Sequence, residues 1–327
     1  MAARPTLTLI MRDRSSVAEA RERVRACARE AGLEPADVER MAVAVSELGQ
    51  NQLDHARLGT IACTGVVRGG VTGLEIRAVD RGPGLIAPAT AIASMLPPKG
   101  LGVGLAGVRR AVDELDVDVR TGESTTIVIR KFRAAVARQP EVAVLGRGVA
   151  DVSGDTAAVW RDDATLWVAV VDGAGHGVEA REAADRCLHT VQQAAQAGEE
   201  DLRALLDAAH RALRRSRGAA CTVARWTADR VVVCGVGNVA ARVVDPAGGV
   251  RAAAPLAGML GVRLPGHPRT HELRVAPRSA LVLATDGVSA RRDPVPEQVG
   301  RSAVHLAELT MARCAKDHDD ALVLIAR

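Results

Sequence analysis

The sequence predicts a two-domain α+β protein, and three observations carry that prediction. Its 327 residues are enough for two ordinary domains and too many for one small core. A short stretch at 134–140, AAVARQP, separates a first half of helices and strands from a second half that begins as strands. In that second half, strand clusters are separated by a pair of helical segments, the pattern of two packed sheets with helices outside.

In chain order, residues 1–10 alternate as a strand around Leu7 and Leu9, and Ser15 or Ser16 can cap a helix that Gly32 closes. A second helix is expected from about Ala36 to Ala56, with Val38, Ala42, Val45 and Leu48 on its apolar side. Glu47 and Asn51 stand four apart on it and share a face, which alone is also how a solvated surface reads. The strand TGLEIRAVD ends in Asp80, and RGPG follows. KGLGVGLAGVRRAVDEL then reads as a glycine-punctuated turn opening a helix. There the amides of Gly100, Gly102 and Gly104 can approach a phosphate at the helix N-terminus. These glycines do not follow the first strand of a βαβ unit, which argues against a Rossmann site.

Beyond the linker come VAVLGRGVADVSGD and TAAVWRDDATLWVAVVDG, with a turn near Arg161–Asp163. Two helices are expected, from about Val178 to Ala197 and from Glu200 to Arg215. Strands return at AACTVARWTA, RVVVCGVGNVAARVVD, THELRV and SALVLATDG, and a last helix, SAVHLAELTMARCAK, leads into DDALVLIAR.

The chain is 48% apolar and 25% charged, a globular balance, and its net charge of +4 comes from arginines interleaved with acids. With one Phe, three Trp and no Tyr it has almost no stacking platform for single-stranded nucleic acid. The densest basic run, RALRRSR at 211–217, reads as a basic surface. Six scattered cysteines without CxxC or Cys/His spacing read as small buried residues in a reducing compartment. The N-terminus lacks a signal-peptide pattern, and no apolar run reaches the ~18 residues that span a bilayer. The expectation is a cytoplasmic protein that binds neither nucleic acid nor membrane.

Chemistry concentrates in LWVAVVDGAGHG. Leu166, Val168, Val170 and Asp172 lie on one side of a strand, so a carboxylate ends an apolar row. A buried carboxylate needs a cation or strong donors. Asp286 ends LVLAT, Asp319–Asp320 precede ALVLIA, and Asp155 lies in VSGDT. Singly, each reads equally as a turn or a cap. Together, acids without His or Cys ligands favour Mg²⁺ or Mn²⁺, and two such ions could activate water near neutral pH and clamp a phosphoryl oxygen.

Two resemblances follow from these motifs. With ExxxN at 47–51, DRGPG at 80–84, GLGVGL at 100–105 and the ending TTIVIRKF, residues 1–133 resemble the GHKL ATP-binding fold, specifically the RsbT/RsbW-type serine kinases of bacterial partner switching. That resemblance implies a Bergerat α/β sandwich that binds ATP and Mg²⁺. Asn51 would hold the Mg²⁺, and Asp80 would accept from the adenine amino group. Gly82 and Gly84 would line the base, while Lys99 and Gly100, Gly102 and Gly104 would form the lid. Glu47 would orient or deprotonate a substrate hydroxyl. Pro97–Pro98 departs from the small residues usual before the lid and stiffens it. That departure motivates an alternative in which the first half binds ATP or a partner without transferring phosphate.

The order SGD, DGxGxG, TDG, DD over about 141–327 resembles the PPM family of metal-dependent protein phosphatases, most closely its SpoIIE/RsbX branch. It implies an αββα sandwich with two Mn²⁺ or Mg²⁺ ions. Asp172 would bridge them as the catalytic centre, with the Gly173 carbonyl, Asp286 and Asp319 completing one shell and Asp155 near the second ion. Asp320 would be the lesser of its pair, Arg147 a candidate to hold phosphate, and His176 a loop histidine that could protonate a leaving oxygen. Together the resemblances imply a bifunctional regulator that acts on phosphoserine or phosphothreonine of STAS-domain antagonist or scaffold proteins. A sigma factor or a second phosphatase is a further candidate partner, and a homodimer a candidate assembly.

Overall fold

The computed structural model describes residues 7–56, 58–82, 104–136, 139–149, 152–162, 164–289 and 302–327. The chain divides into two compact units, residues 1–141 and 142–327.

In the first unit, β1 (Leu7–Met11) is followed by helices α1 (Arg14–Glu30) and α2 (Pro35–His55). Strands β2 (Gly59–Arg68) and β3 (Val71–Asp80), helix α3 (Gly104–Ala111), and strands β4 (Glu114–Thr121) and β5 (Ser124–Phe132) complete it. The strands form an antiparallel array in the order β1-β2-β3-β5-β4. Helix α1 buries Val17, Ala20, Val24 and Ala28, a three-and-four spacing that makes one apolar stripe. Its cap is Asp13, not Ser15 or Ser16. The Asp13 carboxylate accepts from the Ser16 N–H at 2.8 Å while the Ser16 hydroxyl accepts from the Asp13 N–H at 3.1 Å, a reciprocal capping box. Val17 packs against Gly49 of α2, where a Cβ would stand 3.1 Å from a Val17 methyl.

Strand β4 corrects the expected helix, which stops at Ala111. Leu115, Val117 and Val119 are buried on one side of it, while Glu114, Asp116 and Asp118 alternate with them. That second side makes a charged ladder. Arg130 lies opposite both Glu75 and Glu114 in register, with Nε donating to Glu75 at 2.8 Å and Nη1 to Asp116 at 2.7 Å. Arg68 pairs with Glu114 and stacks over Phe132, the guanidinium carbon 4.8 Å from the ring centre.

The second unit has four layers. One sheet runs β13-β10-β9-β8-β7, built from β7 (Asp155–Arg161), β8 (Thr165–Gly173), β9 (Ala219–Thr227), β10 (Arg230–Val236) and β13 (Thr270–Arg274). The other runs β6-β15-β14-β11-β12, from β6 (Val142–Arg147), β11 (Ala240–Val244), β12 (Val250–Ala253), β14 (Ala280–Ala284) and β15 (Ala321–Ala326). Their facing sides interdigitate in one core that includes Leu166, Val168, Val170, Leu281, Leu283, Leu322 and Leu324. The alternate residues of β8, Trp167, Ala169 and Val171, face α4 (Val178–Gln196) and α5 (Leu202–Ala212) in a second core. Helix α6 (Ala303–Cys314) packs on β6 and β15.

The run 230–245 is two strands, not one. At Gly237, with φ +94°, the chain leaves β10 in one sheet and enters β11 in the other. No helix among the described residues is long and apolar enough to cross a membrane, and all six cysteines are free.

Candidate functional site

The row Leu166, Val168, Val170 runs through the inter-sheet core and delivers Asp172 to the end of β8, where a cleft of about 600 Å³ opens. Its lining includes Asp172, Asp286, Asp319, Asn238, Gly175 and His176. Asp286 arrives from the end of β14 and Asp319 from the turn before β15. Asn238 comes from the crossing between sheets. Its amide nitrogen donates to the Asp172 carboxylate at 3.0 Å and to the Asp286 carboxylate at 2.7 Å, so two acids from different sheets converge on one donor.

Glycines make that convergence possible. A Cβ on Gly173 would stand 2.0 Å from the Ala180 carbonyl oxygen, and one on Gly287 would stand 1.8 Å from the Asp320 carbonyl oxygen. Each Asp-Gly pair is therefore a close backbone approach as well as a turn. Gly173 also donates its N–H to the Gly154 carbonyl at 3.2 Å, joining the SGD and DGxG segments.

The other predicted acids divide by their bonds. Asp320 is buried and accepts from the Val149 N–H at 2.8 Å and the Gly154 N–H at 2.6 Å, so it staples the loop after β6. Asp319 lines the cleft instead. Asp155 is directly opposite Asp172 in the β7–β8 register, 1% exposed, and accepts from the Thr285 hydroxyl at 2.7 Å. Arg147 donates to the Lys316 carbonyl at 2.6 Å, directed at the α6–β15 connection. His176 and, unanticipated, His318 sit exposed at the cleft. Asn238 belongs to GVGN at 235–238, a segment that resembles one beside the active site of the SpoIIE/RsbX branch but reads equally as a tight strand turn. It lines the cleft, a role that spacing alone did not assign to it.

Electrostatics agree with a site short of positive charge. Burial pushes the Asp172 carboxyl up to about 6, and Asp286, Asp319 and Asp320 push it the same way against the Asn238 amide. Among the described residues, no three His, Cys, Asp or Glu side chains already stand at the spacing of a filled metal shell. The donor set still fits a hard divalent cation. Among the described residues, carboxylate oxygens and no thiolate or buried imidazole line the cleft, and the Asn238 amide hydrogen-bonds two of the like charges gathered there.

In the first unit, Glu47 is half-buried and Asn51 exposed, one turn apart on α2. Asp80 ends β3 and accepts from the Gly82 N–H at 3.0 Å; burial is the main reason its carboxyl titrates above the usual range. Between α2 and the sheet lies Gln52, whose amide donates to the Thr60 and Val79 carbonyls, both at 3.1 Å, holding the end of β3 against the helix. Gly104 is the first residue of α3. Gly84, Lys99, Gly100, Gly102 and Pro97–Pro98 lie outside the described residues.

Comparison with known proteins finds relatives of each unit. The family model of stage II sporulation protein E (SpoIIE) matches residues 162–327, and that of the histidine kinase-like ATPase domain matches residues 11–131. The serine/threonine-protein kinase RsbT of Bacillus subtilis (strain 168) is 36% identical over 117 residues, covering 36% of this chain and 88% of RsbT. A solved chain of the bacterial stressosome has the same fold over 58% of this chain and all of its own length, with TM-score 0.53 and 24% identity. RsbX crystallised with magnesium matches 59% of this chain and 96% of its own, with TM-score 0.52 and 21% identity. By the match over more than half its length, the chain belongs to the SpoIIE family of PPM-type protein serine/threonine phosphatases, preceded by a GHKL-type domain of the RsbT serine/threonine kinase family.

Proposed function

We propose that the chain is a two-enzyme regulator of a bacterial partner-switching pathway. Its second unit would remove phosphate from phosphoserine or phosphothreonine of a STAS-domain protein, and its first would transfer phosphate from ATP to the same or a related protein. The observation that carries this reading is the convergence of Asp172 and Asp286 on Asn238 in a cleft that Asp319 also lines. The RsbT and stressosome relatives support the pathway context.

In this reading Asp172, Asp286 and Asp319, with the Gly173 carbonyl, would hold divalent cations, and Asp155 would serve the second ion directly or through water. Such cations supply water activation near neutral pH and charge neutralisation on the phosphoryl group. Asn238 holds the Asp172 and Asp286 oxygens toward each other, and the glycines keep the backbones close enough for both to share one cleft. In the first unit, Asn51 would bind the Mg²⁺ that accompanies ATP and Asp80 the adenine amino group. Glu47 would stand one helical turn from Asn51 to receive the hydroxyl proton. Lys99 with Gly100, Gly102 and Gly104 would cover the phosphates. Opposed activities in one chain hydrolyse ATP to no effect unless gated, so distinct substrates or reciprocal control by nucleotide are part of the proposal.

The test is phosphorylation-state gel analysis of STAS proteins with the wild type, Asn51→Ala and Asp172→Asn. Asp172→Asn should abolish dephosphorylation and keep ATP binding, while Asn51→Ala should do the reverse. Dephosphorylation by Asp172→Asn at the wild-type rate would contradict the phosphatase assignment. Absence of phosphate transfer by the wild type would leave the first unit as a nucleotide-holding regulator.

A further inference from the structure

The cleft poses a problem for its own substrate. Its described lining includes three aspartates and no lysine or arginine, whereas a phosphoserine carries about −1.5 to −2 charge at pH 7. Bound cations answer part of that repulsion, but phosphate oxygens facing away from them need a donor from the protein. Arg147 is committed to the Lys316 carbonyl.

We infer that Arg217 holds the substrate phosphate at the lip of the cleft and that Glu179 competes with the phosphate for it, an inference that rests on the phosphatase reading above. Arg217 sits on the turn between α5 and β9. Its Nη1 lies 3.1 Å from where a Cβ on Gly175 would stand, and Gly175, with φ +90°, lines the cleft. A side chain at Gly175 would thus press on the guanidinium, which lies against the backbone of this cleft-lining residue. The turn is clamped where it meets the cleft. The Ala174 N–H donates to the Gly218 carbonyl at 3.0 Å, and Ala219 and Leu260 exchange backbone bonds of 3.2 and 2.9 Å. The Arg217 backbone is therefore fixed against the DGxG loop while its side chain remains 50% exposed.

Its ion-pair partner is Glu179 in the first turn of α4, at 2.5 Å, with the glutamate side chain 68% exposed. An exposed pair of this kind contributes little. A phosphate group carries more charge than a carboxylate and accepts two guanidinium bonds in parallel, so it can replace Glu179. Arg217 is then a positioning residue for the phosphate, and Glu179 raises the concentration of substrate needed to capture it.

The experiment uses the full chain with Mn²⁺, p-nitrophenyl phosphate as substrate and inorganic phosphate as competitive inhibitor. Arg217→Ala should raise KM and the inhibition constant of phosphate about tenfold or more, as expected for loss of a charge-assisted hydrogen bond. Its kcat should change by less than about threefold, because water activation stays with the aspartates. Arg217→Lys should recover part of the loss. Glu179→Gln should move both constants the other way, lowering them roughly twofold. If the pair only braces the loop, Arg217→Ala and Glu179→Gln will shift KM in the same direction, which overturns the inference. An unchanged KM in Arg217→Ala overturns it as well. A wild type without Mn²⁺-dependent hydrolysis would sink the phosphatase reading itself and this inference with it.

Discussion

Replacing Gly287 by alanine tests whether close backbone approach builds the acidic cleft. The added Cβ would stand 1.8 Å from the Asp320 carbonyl oxygen and 2.7 Å from its carbonyl carbon. Separations under 3.0 Å are essentially never seen for a Cβ, so the two backbones must part by at least 1.2 Å (3.0 − 1.8). Gly287 lies outside the left-handed region, so the cost is steric and not conformational. Neither segment yields easily, because the Gly287 carbonyl accepts from Lys316 at 2.8 Å and the Thr285 N–H donates to Leu322 at 3.0 Å. The displacement falls on Asp286 and Asp319–Asp320, whereas cation ligation tolerates about 0.2 Å. A misplacement near 1 Å costs on the order of 100-fold in rate, and overpacking of this kind destabilises by about 1–3 kcal/mol. Gly287→Ala should therefore lose at least about 100-fold in kcat/KM toward p-nitrophenyl phosphate, and its urea midpoint should fall. Gly266→Ala is the control, since nothing stands within 4 Å of its Cβ position. A Gly287→Ala protein within threefold of wild type, with an unchanged midpoint, would refute the reasoning.

Two further outcomes test the supports around the site. Thr285→Val removes the hydroxyl that donates to buried Asp155 at 2.7 Å and accepts from the Leu322 N–H at 2.9 Å. It should cost about 2–3 kcal/mol in urea unfolding, and a loss under about 1 kcal/mol would show that the carboxylate does not depend on this donor. Glu308 on α6 is 8% exposed, and burial pushes its carboxyl up to about 7 from an ordinary value of 4.5. Because the folded group binds its proton more tightly than the unfolded one, the fold carries no penalty below about pH 4.5 and loses stability as pH rises through 7. Glu308→Gln should stabilise the protein at pH 8 by about 1–2 kcal/mol after discounting for solvent screening, and change little at pH 4.5. Equal effects at both pH values would contradict the shift.

Much of the second unit was legible because period-two rows are explicit there. Leu166, Val168, Val170 and Asp172 fall on one face by strand alternation alone, and the structure puts those three apolar residues in the inter-sheet core. The two packed sheets with helices outside followed from segment order in the second half, whereas the α/β sandwich of the first half was implied only by the resemblance of its motifs. Strand β4 was hidden because ELDVDVRT alternates charges with valines, and an acidic run after a helix reads as the helix's own solvated end. Only the facing Arg68 and Arg130, remote in sequence, make that alternation a strand. The Asp13 cap was masked by the two adjacent serines, one of which completes the box. Asn238 could not be found from spacing, since its role depends on the chain changing sheets at Gly237, a long-range event with no local periodicity. The different duties of Asp319 and Asp320 likewise depend on which one meets the Val149 and Gly154 amides.

The central claim is that carboxylates from distant segments of the second unit share divalent cations, and calorimetric titration of the full chain with Mn²⁺ tests it most directly. The wild type should bind Mn²⁺ at pH 7.5 and more weakly at pH 5, where Asp172, pushed up to about 6, is protonated. Asp172→Asn should lose at least about tenfold in affinity, and exhaustive chelation should end phosphatase turnover. Binding by Asp172→Asn indistinguishable from wild type, or hydrolysis that survives chelation, would contradict the account.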